Sequence, residues 1–136
     1  MSFIKTDDNI NLFYESTGKG DPIIFVHEFA GDYRSWAHQV NYFSRFYKCI
    51  TYCARGYYPS DIPQNQDLYS QKRAWQDIIS VMDNLEIDKA HIVGLSMGGF
   101  ATLHLGINAP DRVLSLVIAG CGYGASPLDK IYFNTD

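Results

Sequence analysis

Apolar and polar residues alternate over positions 2–6 and again over 10–16, on either side of Asp7-Asp8-Asn9. That period of two around a turn-forming triplet predicts an antiparallel hairpin. Gly18-Lys19-Gly20-Asp21-Pro22 breaks the pattern, and Ile23-Ile24-Phe25-Val26 follows as a continuous apolar run, the mark of a strand covered on both faces. Trp36, Val40, Phe43 and Tyr47 then recur at helical spacing, with Ser35 placed to cap the helix they define. Cys49 to Cys53 reads as the next strand. Ala74, Ile78, Val81, Met82 and Leu85 form the apolar face of a second helix, from about Tyr69 to Leu85. His91-Ile92-Val93 is a short strand, Met97 to Asn108 a mostly apolar helix ended by Pro110, and Val113 to Ala119 a last strand.

Alternating strands and helices, with buried strands, predict parallel pairing and right-handed crossovers. The expected architecture is α/β: a mostly parallel sheet of about six strands with helices on both faces. In such sheets chemistry collects beyond the carboxyl ends of the strands.

One of those ends carries Gly94-Leu95-Ser96-Met97-Gly98-Gly99, between a buried strand and an apolar helix. A serine hydroxyl is a weak nucleophile unless it is held where a base can reach it. A sharp strand-to-helix turn does this by projecting Oγ above the sheet. The turn crowds the positions two residues before and after the serine, which is the physical reason for Gly94 and Gly98. Ser96 is therefore the candidate nucleophile. The backbone N–H of Met97, at the start of the helix, suits a developing oxyanion. A phosphate-cradling loop is disfavoured, because Gly94 to Gly99 contains no lysine.

Val26-His27 with the loop to Asp32, the loop Arg55-Gly56-Tyr57-Tyr58-Pro59-Ser60-Asp61 and the Ser96 turn together resemble the α/β-hydrolase superfamily. Their order and spacing look like its third, fourth and fifth strands with the following loops. The resemblance implies that residues 1–136 are the N-terminal part of such a domain, without its cap and later strands. It implies the Phe29 N–H as second oxyanion donor, with His27 orienting that loop. Triad order in this fold is Ser, then Asp or Glu, then His, so His27 precedes the expected place of a base.

The sequence also departs from the family pattern. Glu28 stands where a glycine usually follows the histidine; its carboxylate is placed to contact a polar substrate or, the favoured reading, to form a salt bridge, with Arg55 as the candidate partner. Cys53 and Tyr58 replace the common acidic residue and glycine of the fourth-strand motif. Tyr57, Tyr58 and Trp36 are expected to pack, with Tyr57 also placed to line an acyl pocket. His104 lies more than two helical turns beyond Ser96, and His38 and His91 have no motif context. After Ser96 the acids are Asp111, Asp129 and Asp136; Asp111 falls at the wrong end of its strand, and no histidine follows Asp129. The triad acid and base are therefore not present in this chain. A 113–119 strand with no neighbour would be a bare apolar edge, and pairing of that edge with another chain is the self-association it predicts.

Composition narrows the alternatives without changing this picture. Hydrophobic residues at 46% and charged residues at 19% are ordinary for a globular chain of 136 residues. A net charge of −4 without basic clusters gives no footprint for nucleic acid. No apolar stretch could span a bilayer, and Met1 to Lys5 lacks the apolar core of a signal peptide, so the cytoplasm is the expected compartment. Cys49 and Cys53 would share a strand face about 13 Å apart, too far to bridge. No metal or organic cofactor is implied. The function expected is hydrolysis of a small ester, lactone, thioester or carbon–carbon bond substrate through an acyl-enzyme. Epoxide and haloalkane chemistry fits less well, since relatives with those activities place an Asp at the nucleophile. The other readings are a ligand-binding or signalling protein on a hydrolase scaffold, and an inactive fragment.

Overall fold

The computed structural model describes residues 1–122. The chain folds as one six-stranded sheet: β1 (Ser2–Lys5), β2 (Asn11–Thr17), β3 (Pro22–Val26), β4 (Lys48–Tyr52), β5 (Ala90–Leu95) and β6 (Val113–Ala119). The helices are α1 (Ala37–Phe43), α2 (Gln71–Asn84) and α3 (Met97–Asn108). Strand order is β1-β2-β4-β3-β5-β6. The β1–β2 and β2–β4 pairs are antiparallel and the other three parallel. The expected α/β architecture is thus the observed one. Asn9 takes a positive φ of 67° in the predicted hairpin turn, a conformation asparagine tolerates better than most residues.

Period-two alternation in β3, β4 and β5 divides the core between the two sheet faces. Ile24, Val26, Ile50 and Ile92 pack with Ile78, Val81 and Met82 of α2 and Ala101 and Leu105 of α3. Full burial of each such aliphatic side chain contributes about 1.5–3 kcal/mol, so this face dominates the stability. On the other face Ile23, Phe25 and Cys49 meet Trp36, with Val40 and Tyr47 partly covering them.

That second face departs from expectation. Asp32, not Ser35, caps the turn: it accepts from the Arg34 N–H, while Ser35 returns a bond to the Asp32 N–H. A single 3₁₀ turn over Tyr33–Trp36 precedes α1, which ends at Phe43. The stripe is consequently cut short. Trp36 is buried against Phe25, but Phe43 is exposed and Tyr47 lies beyond the helix. The reason is the spacing of polar groups: Asp32 and Ser35 satisfy each other's backbone three residues earlier than a helix starting at Trp36 requires.

The long loop from Cys53 to Ser70 is held by polar contacts. Arg55, 6% exposed, pairs with Asp77 of α2 at 2.7 Å and Asp8 of the hairpin turn at 2.8 Å, and donates to Leu68 O. Arg73 adds ion pairs with Asp7 and Asp8. Ser60 Oγ donates to Cys53 O and accepts from the Phe13 N–H, and Asp61 accepts from Asn11. These bonds clamp the loop between the antiparallel hairpin and α2. β6 forms the sheet edge among the described residues, with Leu114, Val117 and Ile118 exposed. No helix among the described residues is long and apolar enough to cross a membrane.

Candidate active site

The turn between β5 and α3 has the geometry its glycines predict. Ser96 sits at φ 53°, ψ −113°, a backbone conformation costly for any residue with a Cβ. A Cβ on Gly94 would lie 2.3 Å from Gly98 O and from Thr102 Oγ1, and one on Gly98 would lie 2.1 Å from Val26 O. Both glycines are sterically required. The Ser96 N–H donates to Ala119 O at 2.8 Å, and Ser96 O accepts from the Phe100 N–H at 3.0 Å. The turn is therefore braced by β6 behind it and by the first turn of α3 after it. Met97 is the first residue of α3, and its N–H is one of the donors that a helix start leaves without an intrahelical partner.

The loop after β3 approaches the same place: a Cβ on Gly98 would meet the carbonyls of both Val26 and His27. His27 is 1% exposed with both ring nitrogens engaged. Nε2 accepts from the Ala54 N–H at 3.0 Å, which leaves the proton on Nδ1, 2.8 Å from Glu28 O. Burial lowers the imidazole pKa below its ordinary value, in keeping with a neutral ring. His27 has no nitrogen to spare as a general base. It instead pins the Glu28 carbonyl, and in the trans peptide that follows, the Phe29 N–H points the opposite way. The Gly31 N–H also donates to Glu28 O, at 3.2 Å.

The expected Glu28–Arg55 salt bridge does not form. Glu28 Oε1 accepts from Ser35 Oγ at 2.8 Å, while Arg55 is saturated by Asp8 and Asp77. The hairpin turn and α2 bring two carboxylates to the guanidinium before the loop can, a tertiary arrangement that local sequence does not display. Cys53 and Tyr58 lie side by side across the loop, Cys53 Sγ 3.5 Å from Tyr58 O. Cys49 and Cys53 are free and buried, and burial pushes both thiols up.

Tyr57, expected to pack and to line an acyl pocket, does line the cleft and also makes contacts that the sequence does not display. Its hydroxyl lies 2.9 Å from Phe29 O and 3.5 Å from Met97 Sδ, and its ring meets His27 edge to face at 4.7 Å. The tyrosine in the Arg55–Asp61 loop was visible in the sequence, but nothing there tied it to Phe29. A cleft of about 570 Å³ opens beside these groups, lined by Phe29, Tyr57, Met97, Ile62, Tyr69 and Ala101 among others. Arg55 and Asp77 reach its wall, already paired to each other.

Other candidates fall outside this constellation. Among the described residues no histidine is hydrogen-bonded to Ser96. His91 Nδ1 lies 2.7 Å from Ser115 Oγ on the α1 face, and His38 is exposed. Asp111 lies in the 3₁₀ turn before β6, at the amino end of that strand. Asp129 and Asp136 lie outside the described residues. No cluster of metal-ligating side chains occurs among the described residues.

The architecture is a mostly parallel α/β sheet with a strained serine at the carboxyl end of an interior strand. Comparison with known proteins places it more narrowly. Residues 21–132 match the family described as alpha/beta hydrolase fold, and the chain belongs to that family. It is 35% identical over 97 residues to 3-oxoadipate enol-lactonase 1 of Acinetobacter baylyi, covering 71% of this chain and 35% of that protein. It is 31% identical over 111 residues to epoxide hydrolase 2 of Siraitia grosvenorii, covering 81% of this chain and 35% of that protein. Among solved structures, the meta-cleavage product hydrolase CumD of Pseudomonas fluorescens superposes with a TM-score of 0.81 at 30% identity, over 88% of this chain and 45% of the other. The chain thus spans 35–45% of the length of these relatives. Those relatives are all hydrolases, of a lactone, an epoxide and a meta-cleavage product by their names.

Proposed function

We propose that this chain supplies the nucleophile and oxyanion donors of a hydrolase that attacks carbonyl carbon through an acyl-enzyme. The observation that carries the proposal is Ser96 held at φ 53° on the β5–α3 turn, a strained placement that a pure binding protein does not need. The nature of the nucleophile separates this reading from that of the epoxide-hydrolysing relatives. A carboxylate that opens an epoxide forms an ester, which water can cleave at its acyl carbon. A serine that did the same would form an ether, and turnover would stop there. Ser96 therefore fits esters, lactones, thioesters or activated ketones, not epoxides.

In the proposed step Ser96 Oγ bonds to the carbonyl carbon and the π pair moves onto oxygen, received by the Met97 and Phe29 N–H groups. The serine proton passes to a base, which returns it to the leaving group as the tetrahedral adduct collapses. Water then repeats the sequence on the acyl-enzyme. His27, with both nitrogens bonded, cannot be that base, so an acid and a histidine from beyond these 136 residues complete the triad. Without them an oxyanion hole and binding alone retain about 10³–10⁴-fold catalysis over water. The substrate is a small molecule, in keeping with a cleft inside the usual range of about 300–1,000 Å³.

The test is to treat the full-length gene product with a fluorophosphonate and measure intact mass, with Ser96→Ala alongside. One adduct, mapped to Ser96 and absent from the variant, is the expected result. An unmodified wild-type protein, or an adduct elsewhere, overturns the assignment.

A further inference from the structure

Two oxyanion donors on separate elements must hold their spacing to a fraction of an ångström to be useful, because stabilisation of the developing charge depends on preorganised geometry. Here one donor rides on the loop after β3 and the other on the first residue of α3. The His27 bond fixes the peptide between Glu28 and Phe29 from below, but Phe29 itself is 75% exposed. Its side chain does little to anchor the loop.

From the two contacts of its hydroxyl, to Phe29 O and to Met97 Sδ, we propose that Tyr57 is a positioning residue that sets the spacing of the oxyanion donors. The inference rests on the acyl-enzyme reading above. The phenol donates its one proton to Phe29 O at 2.9 Å and touches the Met97 thioether sulfur at 3.5 Å. The oxygen contact is the strong one, and the sulfur contact seats the Met97 side chain at the edge of the cleft. The ring rests edge to face on buried His27 at 4.7 Å and approaches Phe29 at 6.5 Å. His27 and Tyr57 thus pin two successive carbonyls, Glu28 O and Phe29 O, and the Phe29 N–H lies between them. Burial raises the phenol's pKa above its ordinary value, so the hydroxyl keeps its proton throughout the neutral range. The residue comes from the Cys53–Ser70 loop, which Arg55 and Ser60 clamp to α2 and the hairpin. The spacing of the donors is therefore referred to a rigid part of the fold.

Tyr57→Phe removes the hydroxyl and keeps the ring. In the full-length protein, with an activated ester as substrate, kcat should fall about tenfold, between the effect of one ordinary hydrogen bond and the loss of a whole oxyanion donor. KM should stay within about twofold, because the ground-state carbonyl asks less of the hole. Affinity for a boronic acid, which forms a tetrahedral adduct on serine, should fall in step with kcat, while affinity for a non-reactive amide analogue stays unchanged. Unchanged kcat and boronate affinity overturn the inference. So does a loss of kcat matched by a fall in thermal midpoint and in amide affinity, since that pattern belongs to general loosening. Failure of the acyl-enzyme reading is told apart by the fluorophosphonate: a wild-type protein that takes no label refutes that reading, whereas a labelled wild type beside an unaffected Tyr57→Phe refutes only the role of Tyr57.

Discussion

Replacing Ser96 with glycine should make the protein more stable, whereas replacing it with alanine should not. At φ 53°, ψ −113° a residue with a Cβ carries a backbone strain of about 1–3 kcal/mol. Alanine keeps the Cβ and therefore the strain. Glycine escapes it, at the cost of about 0.5–1 kcal/mol in extra freedom of the unfolded chain. The Ser96 side chain makes no capping hydrogen bond to α3, so losing the hydroxyl adds little in either variant. The difference between the two variants should be about 1 kcal/mol in favour of glycine, or roughly 3–5 °C in midpoint for a domain of this size. Urea unfolding followed by tryptophan fluorescence measures it directly, since Trp36 and Trp75 report on opposite faces of the sheet. The m values of the two variants must agree for the comparison to hold. A Ser96→Gly protein no more stable than Ser96→Ala would show that the turn stores no strain, and would remove the observation on which the nucleophile assignment rests.

Gly98→Ala should lose about 1–3 kcal/mol in the same assay, because the added methyl meets Val26 O at 2.1 Å and backbone must shift to admit it; an unchanged midpoint would contradict the tight packing of the turn against β3. Acidification should weaken the fold in two stages. Burial depresses His27, so the unfolded chain binds that proton first and stability falls as pH drops below about 6.5, with recovery on return. The Arg55 hydrogen bond holds Asp8 well below the usual carboxylate range, so a second loss sets in as pH falls through about 4; midpoints flat from pH 7 to 5 would refute the first stage. Finally, the 136-residue chain should self-associate through β6, and Val117→Lys, at a position 51% exposed, should reduce this in sedimentation velocity. A wild-type chain that stays monomeric across a wide concentration range would overturn that expectation.

The features legible in the sequence were those set by local chemistry. A continuous apolar run marked β3 and a mostly apolar one β6, and the limits of α3 follow from Ser96 before it and Pro110 after it. The glycines flanking Ser96 announced a crowded turn, and the contacts their missing side chains would make explain why. What sequence concealed was partnership across distance. Arg55 met Asp8 and Asp77, 47 and 22 positions away, in preference to Glu28, because the burial that makes an ion pair strong is decided by how elements pack. Likewise Tyr57 and Phe29 are 28 positions apart, and only the convergence of two loops at the sheet's end gives the phenol something to hold. The 3₁₀ turn before α1 was hidden for a different reason: Asp32 and Ser35 are both good capping residues, and periodicity alone does not rank them.

The hydrogen bond from the Ser96 N–H to Ala119 O has a consequence for the order in which this protein becomes competent during synthesis. The turn's own residues are complete once Gly99 has left the ribosome, but the carbonyl that braces it arrives only with the last residue of β6. Until then the turn lacks that brace, and β5 has an open side where that strand will pair. A chain paused in this interval has the turn held by β3 and by the first turn of α3, without the second strand behind it. Its turn should therefore be less firmly fixed than in the finished sheet.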